Sequence, residues 1–239
     1  MHLLANRMTT APSLLVYRDD PESAREKGTV LVYHGLGASK DIQSSDLVNL
    51  AQYGFLVVGI DNVGHGERRY PDFDQRFSEE NPKRLENLLQ AVLETATETP
   101  LVVDELAQQG LFLPGRLGIM GISMGGFITY RAVITEKRFS AAVPMLASPR
   151  WPLEQSASPH HFMNEFYPLP LLSLTAGADQ TVPPLHTREF HAALGPHYAA
   201  DPARLAYKEA TGADHAMPQA AWNSHWLEMV RWFERWLTP

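Results

Sequence analysis

The sequence has no cysteine among its 239 residues. A disulfide framework, a thiolate zinc site and a cysteine nucleophile are excluded together. Positive charge is scarce as well: 20 Lys and Arg stand against 27 Asp and Glu, for a net charge of −7, and the basic residues are scattered. No basic stripe is offered to a nucleic-acid backbone or an anionic membrane, so neither is expected as a partner. No apolar run approaches the ~18 residues of a membrane-spanning helix. The opening MHLLANRMTT has an apolar run of three, too short for a signal-peptide core, and the expected location is cytoplasmic. Internal repeats and Gly/Ser-rich linkers are missing too, which points to a single domain over residues 1–239.

What the chain does have is a series of short apolar runs rich in β-branched residues: SLLVY (13–17), TVLVY (29–33), FLVVGI (55–60), RLGIM (116–120), AAVPML (141–146) and PLLSLTA (170–176). They are continuous rather than alternating, as expected for strands buried on both faces. Between them lie segments of helical spacing, including Leu85, Leu88, Leu89, Val92, Leu93 and Ala96, and a final helix with Trp222, Trp226, Met229, Val230 and Phe233. Alternating strands and helices predict a mostly parallel sheet covered on both faces, with an antiparallel first strand. Pro100 is expected to break or kink the helix that begins near Arg84. Two polar, proline-punctuated stretches, 66–83 and 147–168, interrupt the alternation and read as long loops of the kind that serve a site or a lid.

Gly121-Ile122-Ser123-Met124-Gly125 fits G-x-S-x-G. The match alone is common, but here it follows a buried strand and opens a helix, FITYRAVI. A nucleophilic serine on so sharp a turn needs small neighbours at 121 and 125. The helix that starts there aims its unpaired N–H groups at the serine, and the N–H of Met124 is placed to stabilise an oxyanion.

A serine hydroxyl attacks only if a base takes its proton and a carboxylate orients that base. His215 is the favoured base. It lies in TGADHAMP, a glycine-bearing loop between the strand-like RLAYKE and the last helix, whereas His186, His191 and His225 sit on helix-like runs and His160 and His161 in an irregular stretch. Asp179, just beyond a strand end in TAGADQTVPP, is the favoured acid, because catalytic groups of parallel sheets gather at strand ends. Asp214 and Glu165 remain as substitutes.

The order Ser123, Asp179, His215, each after a different strand, resembles the α/β-hydrolase superfamily, and the likeness runs from VLVYHGLG to the final helix. The segments HGLGASK, DNVGHGER, GISMGG and GADQTVP look like the small bacterial esterases related to dienelactone hydrolases and prolyl oligopeptidases. The resemblance implies a three-layer α/β/α sandwich around a mostly parallel sheet of about eight strands. It also implies a second oxyanion donor from the loop after an early strand, here the N–H of Leu36, and a cap at the 147–168 insertion. At about twenty residues that insertion is a minimal lid over a small, open pocket, with Trp151, Phe162, Phe166 and Tyr167 as candidate substrate-binding residues.

The remaining motifs carry less. Arg68 and Arg69 could face an anionic group but read more simply as solvated charges. His160-His161 has no carboxylate at ligand spacing, so no metal site is expected, and no cofactor is implied. Four of the five tryptophans fall in the last helix, with Trp232 or Trp236 a candidate for an exposed homodimer contact. The function expected is hydrolysis of small or short-chain carboxylic esters through an acyl-enzyme on Ser123. Thioesterase, acyltransferase or peptidase chemistry on the same residues is an alternative, as is a ligand-binding protein without catalysis.

Overall fold

The computed structural model describes residues 1–6, 8–154 and 156–237. Its strands are β1 (His2–Asn6), β2 (Ser13–Tyr17), β3 (Thr29–Tyr33), β4 (Leu56–Ile60), β5 (Leu117–Ile122), β6 (Ala141–Met145), β7 (Leu171–Ala176) and β8 (Leu205–Ala210). The helices are α1 (Pro21–Lys27), α2 (Ser44–Ala51), α3 (Phe73–Arg76), α4 (Arg84–Gln108), α5 (Met124–Thr135), α6 (Leu185–Leu194) and α7 (Gln219–Leu237). The eight strands form one sheet in the order β1-β2-β4-β3-β5-β6-β7-β8. β2 pairs antiparallel with both β1 and β4, and every other pair is parallel. This is the α/β-hydrolase arrangement.

Side chains of successive strand residues point to opposite faces, and here both faces are dry. Leu31, Tyr33, Val58 and Ile119 pack with Leu89 and Val92 of α4, Ile128 of α5 and Phe190 of α6. Val30, Val32, Val57 and Met120 pack on the other side with Leu47 and Leu50 of α2 and with Met229, Val230 and Phe233 of α7. Two-sided burial is why the strand sequences are continuously apolar. Short local signals set the boundaries. Asp20 caps α1 by accepting the Ser23 N–H at 2.8 Å, Pro21 occupies the first helical position, and Gly28 ends the helix at a φ of 142°.

Two expectations are corrected, and a third is narrowed to Trp236. The helix is not broken at Pro100, which lies inside the continuous α4; Leu89, Val92, Val102 and Val103, on both sides of the proline, are all buried, so packing outweighs the lost N–H. SLLVY is the second strand, since β1 precedes it at the sheet edge. Trp232 is buried, its Nε1–H directed at Pro170 O at 3.4 Å, while Trp236 is half-buried with the Arg204 and Arg235 guanidinium groups each 4.8 Å from its ring. Among the described residues no helix is long and apolar enough to cross a membrane.

Candidate active site

β5 passes into α5 through one residue, Ser123, whose φ of 55° and ψ of −115° lie in a region that costs a non-glycine residue of order 1–3 kcal/mol. Its surroundings hold it there. The Ser123 N–H donates to Met145 O at 2.9 Å, and its carbonyl accepts from the N–H groups of Gly126 and Phe127 at 2.8 and 3.1 Å. The flanking glycines are needed for close approach: a Cβ on Gly121 would meet Gly125 O at 2.1 Å, and one on Gly125 would meet Tyr33 O at 2.0 Å. The turn carrying the serine therefore lies directly against the end of β3.

Asp179 follows β7 and His215 follows β8. The His215 Nδ1–H donates to Asp179 Oδ2 at 2.6 Å, leaving Nε2 to accept from the Ser123 hydroxyl at 3.0 Å. The tautomer follows from the partner, because an ionised carboxylate can only accept. Asp179 is 2% exposed, and its Oδ1 takes the N–H groups of Thr181 and Val182, both at 2.8 Å. One carboxylate oxygen is thus anchored to backbone and the other to the imidazole. The two substitute acids are engaged elsewhere. Asp214 accepts the His215 backbone N–H at 2.7 Å, and Glu165 pairs with Lys137 at 2.9 Å.

The HGLG loop after β3 comes up beside the serine, and a Cβ built on Gly35 would lie 3.8 Å from Ser123 Cβ. Leu36 and Met124 line the same cavity as Ser123, and no described residue accepts the N–H of either. The loop is braced by the DNVGHGER turn after β4. His34 accepts the Asn62 N–H on Nε2 at 3.0 Å and donates from Nδ1 to Gly35 O at 2.8 Å; burial pushes its pKa down to about 4, so the ring is neutral. Asn62 Nδ2 donates to His34 O at 2.8 Å. Asp61, fully buried, takes the Lys40 N–H at 2.9 Å, the Glu67 N–H at 2.9 Å and the Lys40 ammonium at 3.2 Å. Arg68 is part of this brace rather than a solvated charge: it donates twice to Asp61 O and pairs with Glu98 at 2.8 Å.

Ser123 opens on a cavity of about 460 Å³. Leu36, Leu85, Leu88, Met124, Phe127 and Val182 supply its apolar wall, and Arg84, Arg150 and His186 also line it. None of the four aromatic residues expected there does so. Trp151 and Phe166 are buried in the core, Phe162 packs beneath the Arg131 guanidinium at 5.0 Å, and Phe166 and Tyr167 line a separate cavity that does not contain Ser123. Burying an aromatic side chain is worth about 1.5–3 kcal/mol, so Trp151 and Phe166 leave the loop for the core, while Phe162 stays half-buried and Tyr167 exposed. Gln155, within the 147–168 insertion, lies outside the described residues. The missed wall comes from the first turn of α4, and its signal was the other long irregular stretch, 66–83, which delivers the chain to that point.

Residues 24–166, more than half of the chain, match the family model described as serine aminopeptidase, S33. The chain belongs to that family of serine hydrolases. As an S33-family member it is 25% identical, over 87% of its own length and 89% of the relative's, to the Bacillus subtilis (strain 168) protein named "Putative esterase YitV". Its fold is shared with TT1662 from Thermus thermophilus, at 24% identity and a TM-score of 0.79, covering 98% of this chain and 99% of that one. A puromycin-hydrolyzing peptidase of Mycobacterium tuberculosis superposes with a TM-score of 0.74 at 18% identity, over 98% of this chain but only 39% of that one.

Proposed function

We propose that this serine hydrolase cleaves small carboxylic esters through an acyl-enzyme on Ser123. The observation that carries the reading is the hydrogen-bonded run from buried Asp179 through His215 to a serine hydroxyl held on a strained turn. In this scheme Ser123 Oγ attacks the ester carbonyl while His215 Nε2 takes its proton. The charge that develops on the carbonyl oxygen is met by the N–H groups of Leu36 and Met124. Collapse of the tetrahedral intermediate breaks the C–O bond, and His215 passes its proton to the departing alcohol. Water, deprotonated by the same nitrogen, then attacks the acyl-enzyme and frees Ser123. Asp179 keeps the imidazole in the required tautomer and stabilises its cation.

Ester rather than long-chain lipid cleavage is supported by the cavity, whose 460 Å³ suits a small molecule. The test is intact-protein mass after brief exposure to a fluorophosphonate, together with hydrolysis of p-nitrophenyl esters from acetate to decanoate and of amino-acid p-nitroanilides. A single adduct lost in Ser123→Ala, with rates highest for short esters, is expected. Preferred cleavage of the anilides would replace the esterase reading with a peptidase one. Absence of both adduct and turnover would leave a ligand-binding protein.

A further inference from the structure

The wall of the Ser123 cavity has a charge pattern opposite to that of the whole molecule. With histidine counted neutral the chain carries a net −7, yet among the described lining residues there is no Asp or Glu, while Arg84 and Arg150 contribute guanidinium groups and His186 an imidazole. A concave surface of one sign concentrates ligands of the other. The charges are not absorbed internally. Arg84 spends only its Nε, on Phe77 O at 3.0 Å, and neither its terminal nitrogens nor the Arg150 guanidinium has a partner among the described residues. His186 alone faces an acid, Glu189, at 3.3 Å and outside the cavity lining.

Depth sorts the wall further. Met124 and Phe127, beside the serine, are 1% and 6% exposed, whereas Arg84 and Arg150 are exposed at the mouth. Apart from Ser148 the buried wall is apolar, and the exposed rim carries Arg84 and Arg150 beside Leu85. The rim charges are also close enough to act on one another's surroundings. Burial, followed by the charges of His161, Arg150 and His186, holds the His160 imidazole below its usual range.

We infer that the substrate is an amphipathic ester bearing an anionic group, a carboxylate or a phosphate, several carbon atoms from the scissile bond, with that anion received at the cavity mouth by Arg84, Arg150 and His186. The inference rests on the esterase reading. It assigns the apolar spacer to the wall formed by Leu85, Leu88, Phe127 and Val182, and it makes Arg84 and Arg150 specificity-determining residues that take no part in bond cleavage.

The experiment compares kcat/KM for mono-p-nitrophenyl suberate, which ends in a carboxylate, with that for its methyl-capped neutral counterpart. The ratio within each protein cancels differences in folding and in active fraction. In the wild type the ratio is expected to exceed about ten, in Arg84→Gln and Arg150→Gln to fall several-fold to tenfold, and in Arg150→Glu to invert. Raising the salt from about 0.05 to about 0.5 M should lower the ratio through KM for the charged ester alone. Inhibition of neutral-ester turnover by octanoate against hexyl phosphate identifies which anion the rim prefers. A wild-type ratio near one, or a ratio untouched in all three variants, overturns the inference while leaving the esterase reading intact. Failure to cleave either suberate ester while p-nitrophenyl acetate is turned over overturns the inference alone; failure on every p-nitrophenyl ester overturns both.

Discussion

Replacing Asp61 by asparagine isolates what holds the HGLG loop beside Ser123. Asp61 Oδ1 accepts the Lys40 N–H, and an asparagine oxygen can keep that bond. Its Oδ2 accepts the Glu67 N–H at 2.9 Å and the Lys40 ammonium at 3.2 Å, and an amide NH2 at that place donates where two donors already point. Two hydrogen bonds to a buried charged acceptor are lost, at about 1.5–3 kcal/mol each. Lys40, 3% exposed, keeps only the exposed carboxylates of Asp41 and Glu67. The expected cost is about 3–5 kcal/mol, that of losing two hydrogen bonds to a buried carboxylate. For a chain of this length that is a fall in Tm of roughly 10 °C. Because Lys40 follows the loop bearing Leu36, kcat should fall with Tm, measured well below the transition. Lys40→Met added to Asp61→Asn removes the buried ammonium that has lost its buried partner and should restore at least half of the lost stability. A Tm within about 2 °C of wild type for the single variant, or no recovery in the double, refutes the idea that this carboxylate carries the brace.

Asp179→Asn should lower kcat by about 10³–10⁴-fold with little change in KM, since the amide can stabilise the wrong imidazole tautomer; a loss under tenfold in steady-state kinetics would remove Asp179 from the scheme. Burial pushes the His191 pKa down to about 4, so the native state refuses a proton that the unfolded chain accepts below about 6.5. The stability linked to this residue is complete above about pH 6.5 and is lost as the pH falls toward 4. His191→Gln should flatten urea-derived stability between those limits by up to about 1.4 kcal/mol per pH unit, leaving the parallel contribution of His34; an unchanged slope contradicts it. Gly125→Ala, whose methyl would sit 2.0 Å from Tyr33 O, should yield no soluble folded protein, whereas Gly195→Ala, with open space around it, should stay within about 0.5 kcal/mol of wild type in denaturant unfolding.

The strands from SLLVY to PLLSLTA were readable because two-sided burial forces continuous apolar sequence. β1 was not, because it is an edge strand with Leu3 and Leu4 about half exposed, and burial imposes no pattern on it. Ser123 was legible through a local requirement, small residues around a strand-to-helix turn, and Asp179 and His215 through their place after strands. The cavity wall left only an indirect trace, the irregular stretch 66–83 that precedes α4. Arg84, Arg150 and His186 come from three separate segments whose meeting depends on how helices pack, and nothing in their neighbours' sequence distinguishes them from solvated charges. The aromatic residues of 147–168 misled for a related reason: a large ring in a polar stretch reads as ligand-facing, but Trp151 and Phe166 found room in the core.

The glycine at 125 lets the Ser123 turn and the end of β3 meet through main chain alone. Since every amino acid shares that main chain, the spacing between the Ser123 turn and β3 is set with no side chain between them. The mouth of the cavity is assembled in the opposite manner, from protruding side chains on α4, on the segment after β6 and at the start of α6. On the function proposed above, diversification can therefore run along two axes: appetite for new substrates is retuned at the mouth by single replacements, while the backbone seat of Ser123 is kept whole or lost whole.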